Sequence, residues 1–75
     1  MLKFSETATI IIKTLLWAKK QGEPITHQDA IYLWGEQEAW EELVEDDYLV
    51  IKNGIVIVTK KGLTWYCQQE GTVAA

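Results

Sequence analysis

Two β-branched runs, Tyr48-Leu49-Val50-Ile51-Lys52 and Ile55-Val56-Ile57-Val58-Thr59, are separated by only Asn53-Gly54. No other feature restricts this chain so much. Asn and Gly both accept positive φ, which a two-residue turn between right-twisted strands requires, so the stretch predicts an antiparallel hairpin. With a two-residue turn, Leu49 and Ile51 share a face with Val56 and Val58, while Tyr48, Val50, Ile55 and Ile57 share the other. Both faces are apolar. A two-stranded ribbon is marginal by itself in water, so at least one face must be covered by the rest of the chain.

The preceding residues have the period to do so. In residues 5–20, Ala8, Ile11, Ile12, Leu15 and Leu16 recur at i, i+3, i+4, i+7 and i+8, which sets one apolar stripe along a helix. Ser5 is placed to cap its start, Lys19 and Lys20 suit its C-terminal end, and Gln21-Gly22 stops it. Ile10 and Trp17 point away from the stripe, beside Lys13 and Lys20. Either this helix is covered on two sides, or it exposes a patch for dimerisation or partner binding. Glu23-Pro24-Ile25 is an extended connection, because the residue before proline is pushed out of the α region. Thr26-His27-Gln28-Asp29 reads as a capping box opening a short second helix that ends near Leu33 or Trp34, before Gly35. His27, at its start, is expected to face solvent. A third helix over residues 36–46 follows from Ala39, Trp40, Leu43 and Val44 on one face. After the hairpin, Thr59 caps a last helix to about residue 69. There Leu63, Tyr66 and Cys67 are expected in the core, with Trp65 pointing away, and residues 71–75 frayed.

The expected fold class is therefore α+β, mainly α, in one domain over residues 1–70: three helices, a hairpin turning at Asn53-Gly54, and a C-terminal helix. A chain of 75 residues leaves little room for a second core or a substrate cleft. With 48% apolar residues and a net charge of -4, it is too hydrophobic for disorder. Cys67 is the only cysteine and His27 the only histidine, so neither a disulfide nor a Cys/His zinc site can be built. The start lacks the pattern of a signal peptide, and the longest apolar run, Ile10-Ile11-Ile12, is too short to cross a bilayer. A reduced, cytoplasmic protein is expected, without cofactor, metal or small-molecule substrate, and stabilised in part by a protein partner or a second copy.

The element order, with Pro24-Ile25-Thr26 opening the second helix, resembles the winged helix-turn-helix fold. The likeness is carried further by residues 40–50, Trp-Glu-Glu-Leu-Val-Glu-Asp-Asp-Tyr-Leu-Val, and by Val58-Thr59-Lys60-Lys61-Gly62-Leu63. In bacterial winged-helix regulators such as the MarR-like group, a comparable stretch has a leucine late in the third helix, a tight turn and a β-branched entry to the wing, and Thr-x-Lys-Gly opens the next helix. Where that family often has a left-handed glycine after the third helix, this chain has Asp47.

The resemblance implies DNA binding through the third helix, and the charges oppose it. Seven of the 11 acids lie in residues 36–47, which contain no base; the other four acids and seven lysines leave the remainder at +3, and arginine is absent. Duplex affinity comes largely from cationic side chains at phosphates, and arginine is the commonest guanine reader. A DNA-binding alternative rests on Lys52, Asn53, Lys60 and Lys61. The favoured expectation is a non-catalytic docking or self-association module, with Glu38, Glu41, Glu42 and Glu45 attracting a basic partner and Ile10, Trp17 and Trp65 as apolar anchors. A carboxylate array imitating nucleic acid is a further possibility. No acid is paired with a placed nucleophile, phosphate loop or metal-ligand spacing, so catalysis has no support.

Overall fold

The computed structural model describes residues 4–74, with side chains for residues 6–69. The elements run α1 (Phe4–Lys20), α2 (His27–Trp34), α3 (Glu38–Glu45), β1 (Leu49–Lys52), β2 (Ile55–Val58) and α4 (Lys60–Ala74). This is an α+β fold, mainly helical, in the order read from sequence. Because α1 already includes Phe4, Ser5 lies inside the helix instead of capping it, and the Ser5 side chain falls outside the described residues. The C-terminal helix also outruns its expected end, continuing past residue 69 to Ala74. One glycine costs a helix about 1 kcal/mol against alanine, which is too little to stop it where no proline follows.

The core is the meeting of three faces. From α1 come Ala8, Ile11, Ile12 and Leu15, from α3 come Ala39, Trp40 and Leu43, and from the hairpin come Leu49 and Val56, with Ala30 of α2 closing one side. Ile11, Ile12, Leu43 and Leu49 are the large side chains most completely removed from water. Strand register pairs Leu49 with Val58 and Ile51 with Val56. Those four side chains share a face as expected, and it is the covered one, a choice the sequence left open, while Val50 on the opposite face is exposed. Asn53 and Gly54 both have positive φ, 54° and 74°, as a two-residue hairpin turn demands.

The extended connection after α1 does more than link helices. Thr26 forms a bridge with Ile55, the Val56 amide donates to the Ile25 carbonyl at 3.0 Å, and the His27 amide donates to the Gly54 carbonyl at 2.8 Å. The edge of β2 is thereby satisfied, and α2 is tethered to the hairpin tip. The Thr26 hydroxyl accepts from the Asp29 amide at 3.1 Å, which is one half of the expected capping box.

Two helices end in the same way. At α1, Gly22 (φ 81°) donates to the Lys19 carbonyl and Glu23 donates to that of Ala18. At α3, Asp47 (φ 62°) donates to Val44 and Tyr48 donates to Leu43. Both are Schellman closures, so the aspartate occupies the left-handed site that glycine fills in α1. A non-glycine residue in that conformation costs roughly 1–2 kcal/mol, and the strain is held by the start of α4. The Thr59 hydroxyl donates to the Asp47 carbonyl at 2.6 Å, with the Tyr48 carbonyl 3.1 Å away. It accepts from the Gly62 amide at 3.0 Å, capping α4 as expected, and the Thr59 amide donates to Tyr48 at 3.0 Å. Gly62 is buried so closely over this turn that a β-carbon there would strike the Tyr48 carbonyl oxygen.

Thr59→Val keeps the shape but removes the hydroxyl, leaving the Gly62 amide without its cap. We expect a loss of about 1–2 kcal/mol, largely recovered in Thr59→Ser. Urea unfolding checks this through a lowered midpoint with an unchanged slope.

Candidate functional site

Three surfaces carry the sequence-derived candidates. On α3, Glu38, Glu41, Glu42 and Glu45 recur at i, i+3, i+4 and i+7, opposite Ala39, Trp40 and Leu43, and all four are exposed. They form one continuous carboxylate row. It is extended at both ends by exposed Glu36, Asp46 and Asp47. Among the described residues, no set of three or more His, Cys, Asp or Glu side chains could hold a metal ion.

On α2 lies a feature the sequence reading did not single out. Only Ala30 of α2 is buried, with His27 and Trp34 half-buried on the same side. Ile31, Tyr32 and Leu33 consequently turn to solvent, Tyr32 being 88% exposed. Three large exposed side chains on one two-turn helix, fanned around its outer half, are unusual for a monomer. A signal was available: Ala30 and Trp34 stand at i and i+4, so the three residues between them had to face elsewhere. The short helix concealed it, since two turns give too few positions to separate an inner from an outer face.

On α1, Ile10, Lys13, Trp17 and Lys20 stand at i, i+3, i+7 and i+10 and are all exposed, Trp17 by 63%. The helix is covered on one side, and Ile10 and Trp17 form the exposed patch. Trp65, expected to join them, does not. Its ring is half-buried against the core, 5.8 Å from that of Tyr48. The face of α4 assigned from sequence is therefore rotated: Trp65 and Tyr66 pack inward, whereas Leu63 and Cys67 are exposed. The reason is the close seating of Gly62 on Tyr48, which fixes the helix rotation by a backbone contact that hydrophobic periodicity does not register. His27 is likewise corrected. It is half-buried, its ring stacked on Trp40 at 6.5 Å, within the range of favourable aromatic pairs. The Trp34 ring also lies 6.3 Å from that of Trp40, so Trp34 packs against the core to which Trp40 belongs.

The DNA-directed candidates are dispersed. Lys52 pairs with Ile55 beside the turn and Asn53 is in the turn itself, whereas Lys60 and Lys61 follow β2 at the opposite end of the hairpin. The strands alone separate the two ends by about 10 Å. Lys61 is also engaged: its ammonium donates to the Asp46 carbonyl at 2.8 Å and lies 4.9 Å from the Tyr48 ring centroid.

A concavity of about 250 Å³ opens between Leu15, Leu16 and Lys19 of α1, Pro24 and β2, and a wider, more open one of about 440 Å³ lies over Tyr48, Lys60, Lys61, Thr64, Trp65 and Gln68. The first is apolar apart from Lys19 and falls short of the ~300–1,000 Å³ of ligand clefts. Among the described residues no helix is long and apolar enough to cross a membrane. Comparison with family models, curated proteins and solved structures yields no match to this chain.

Two measurements separate the rotated α4 from the sequence expectation. The Cys67 thiol should react with a thiol reagent in the folded protein at nearly the rate found in denaturant. Trp17→Ala should alter stability by less than about 0.5 kcal/mol, while Trp65→Ala should cost roughly 1.5–3 kcal/mol for a half-buried, paired ring.

Proposed function

We propose that this chain is a small non-catalytic docking module, winged-helix-like in its element order, that binds a protein through the outer face of α2 and α3. The observation that carries the reading is that consecutive helices expose both kinds of side chain, Ile31, Tyr32 and Leu33 on α2 and the carboxylate row Glu38, Glu41, Glu42 and Glu45 on α3. Apolar and aromatic side chains supply affinity once desolvated, and surrounding charges select the partner and speed its approach. The complementary surface is basic and apolar.

The alternative, duplex binding through Lys52, Asn53, Lys60 and Lys61, has less support. Between Lys20 and Lys52 the chain has nine acids and no lysine, so the half that would approach the major groove repels phosphate. The lysines of the hairpin tip and of α4 cannot compensate as one patch from opposite ends of the strands. A cytoplasmic setting fits the single free thiol, Cys67, since oxidising compartments favour paired cysteines.

The test is a pair of titrations at low salt. A synthetic amphipathic Leu/Lys helix should bind, with affinity falling at least tenfold for Glu41→Lys/Glu45→Lys and falling again as salt rises. A labelled DNA duplex should show no saturable binding. Duplex binding that is lost in Lys60→Glu, together with no response to the peptide, would overturn the reading in favour of nucleic acid.

A further inference from the structure

The same molecule carries the complement of its own docking face. The exposed side of α1 sets two apolar side chains, Ile10 and Trp17, between two ammonium groups, Lys13 and Lys20. Among the described residues Glu6, near its N-terminal end, is the one acid on that side. From Ile10 to Lys20 the face is about 15 Å long, and the carboxylate row from Glu38 to Glu45 is about 10 Å. One face is apolar and basic, the other apolar and acidic. Both belong to one rigid body, so they cannot meet within a single copy.

We propose that the occupant of the α2–α3 face is the α1 face of a second copy of this chain, joined head to tail. This rests on the docking reading above and names its partner. Charge decides the mode of pairing. Two α2–α3 faces brought together would oppose carboxylate to carboxylate, and two α1 faces would set four lysines against only two Glu6 carboxylates. An excess of like charge across an interface is disfavoured. The crossed pairing sets Lys13 and Lys20 toward the glutamates of α3 and buries Trp17 against the α2 triplet. An asymmetric contact of this kind leaves one unused face at each end, so association continues into rings or open chains instead of stopping at a symmetric dimer. A helix face laid on a two-helix face buries at most about 800 Å² per partner, so the contact is reversible and salt-sensitive.

Sedimentation across a concentration series reads the proposal, using Trp17→Glu to spoil the α1 face and Tyr32→Lys to spoil the α2 face. Both sites are exposed, and circular dichroism confirms that each variant is folded. In the wild type at low salt, the average mass rises with concentration past that of a dimer and falls on adding salt. Each variant alone associates at least tenfold more weakly. An equimolar mixture of the two recovers association, because the intact α2–α3 face of one meets the intact α1 face of the other. A wild type that is monomeric at every concentration overturns the proposal, as does undiminished association of Tyr32→Lys alone or a mixture no stronger than its components. If the wild type stays monomeric yet binds the Leu/Lys helix, docking stands and only the identity of its partner falls. If the wild type associates and the mixture recovers while the peptide does not bind, self-association stands without docking to other proteins.

Discussion

The Thr59 hydroxyl is the small contact on which the arrangement of this domain turns. It reaches the Asp47 and Tyr48 carbonyls on one side and the Gly62 amide on the other, so one side chain closes the α3–β1 turn, the base of the hairpin and the start of α4. Without it the turn would lose the side-chain contacts that help its Schellman hydrogen bonds to offset a left-handed aspartate. Lys61 adds a second tie from α4 to the Asp46 carbonyl. The hairpin is then held at three places: its base by Thr59, its outer edge by Ile25 and Thr26, and its inner face by α1 and α3. A two-stranded ribbon needs such support.

What the sequence conveyed and what it hid follow from the range of the forces involved. The hairpin, both Schellman closures and the Thr26 and Thr59 caps depend on residues a few positions apart, and their chemistry is local. Asn53-Gly54 permits one kind of turn, and Asp47 is one of the few non-glycine residues suited to positive φ. The inner stripe of α1 was legible because 17 residues give nearly five turns over which to average. The errors were rotational. Around α4, the approach of Gly62 to the Tyr48 carbonyl turns Trp65 inward and Cys67 outward, and no count of apolar spacings contains that long-range backbone contact. Around α2, two turns were too few to show that Ile31, Tyr32 and Leu33 would lie outside.

The candidate site was half visible for a related reason. Charge can be counted without knowing any fold, and the concentration of acids in residues 36–47 was plain. Only the fold shows that Glu38, Glu41, Glu42 and Glu45 line up on the outer side of α3 and that Ile31, Tyr32 and Leu33 of the preceding helix are exposed. The two lysine groups illustrate the converse. Lys52 and Lys60 are eight positions apart in sequence, yet an antiparallel hairpin sends one to its tip and leaves the other at its base.

The burial pattern explains how a helix with so many carboxylates can stand in this position of the fold. Packing against α1 and the hairpin is satisfied by Ala39, Trp40 and Leu43, and it makes no demand on the four outward positions. Those positions can therefore carry either sign of charge at little cost to stability, and the same backbone can serve opposite partners. Helix placement follows from the inner face and specificity from the outer one. In this chain the outward positions of α3 are acidic, while among the described residues the lysines are kept to α1, the hairpin tip and the start of α4. Because the domain measures several times the ~8–10 Å screening length of physiological salt, each charged surface acts on its own near surroundings and the two poles are largely screened from one another.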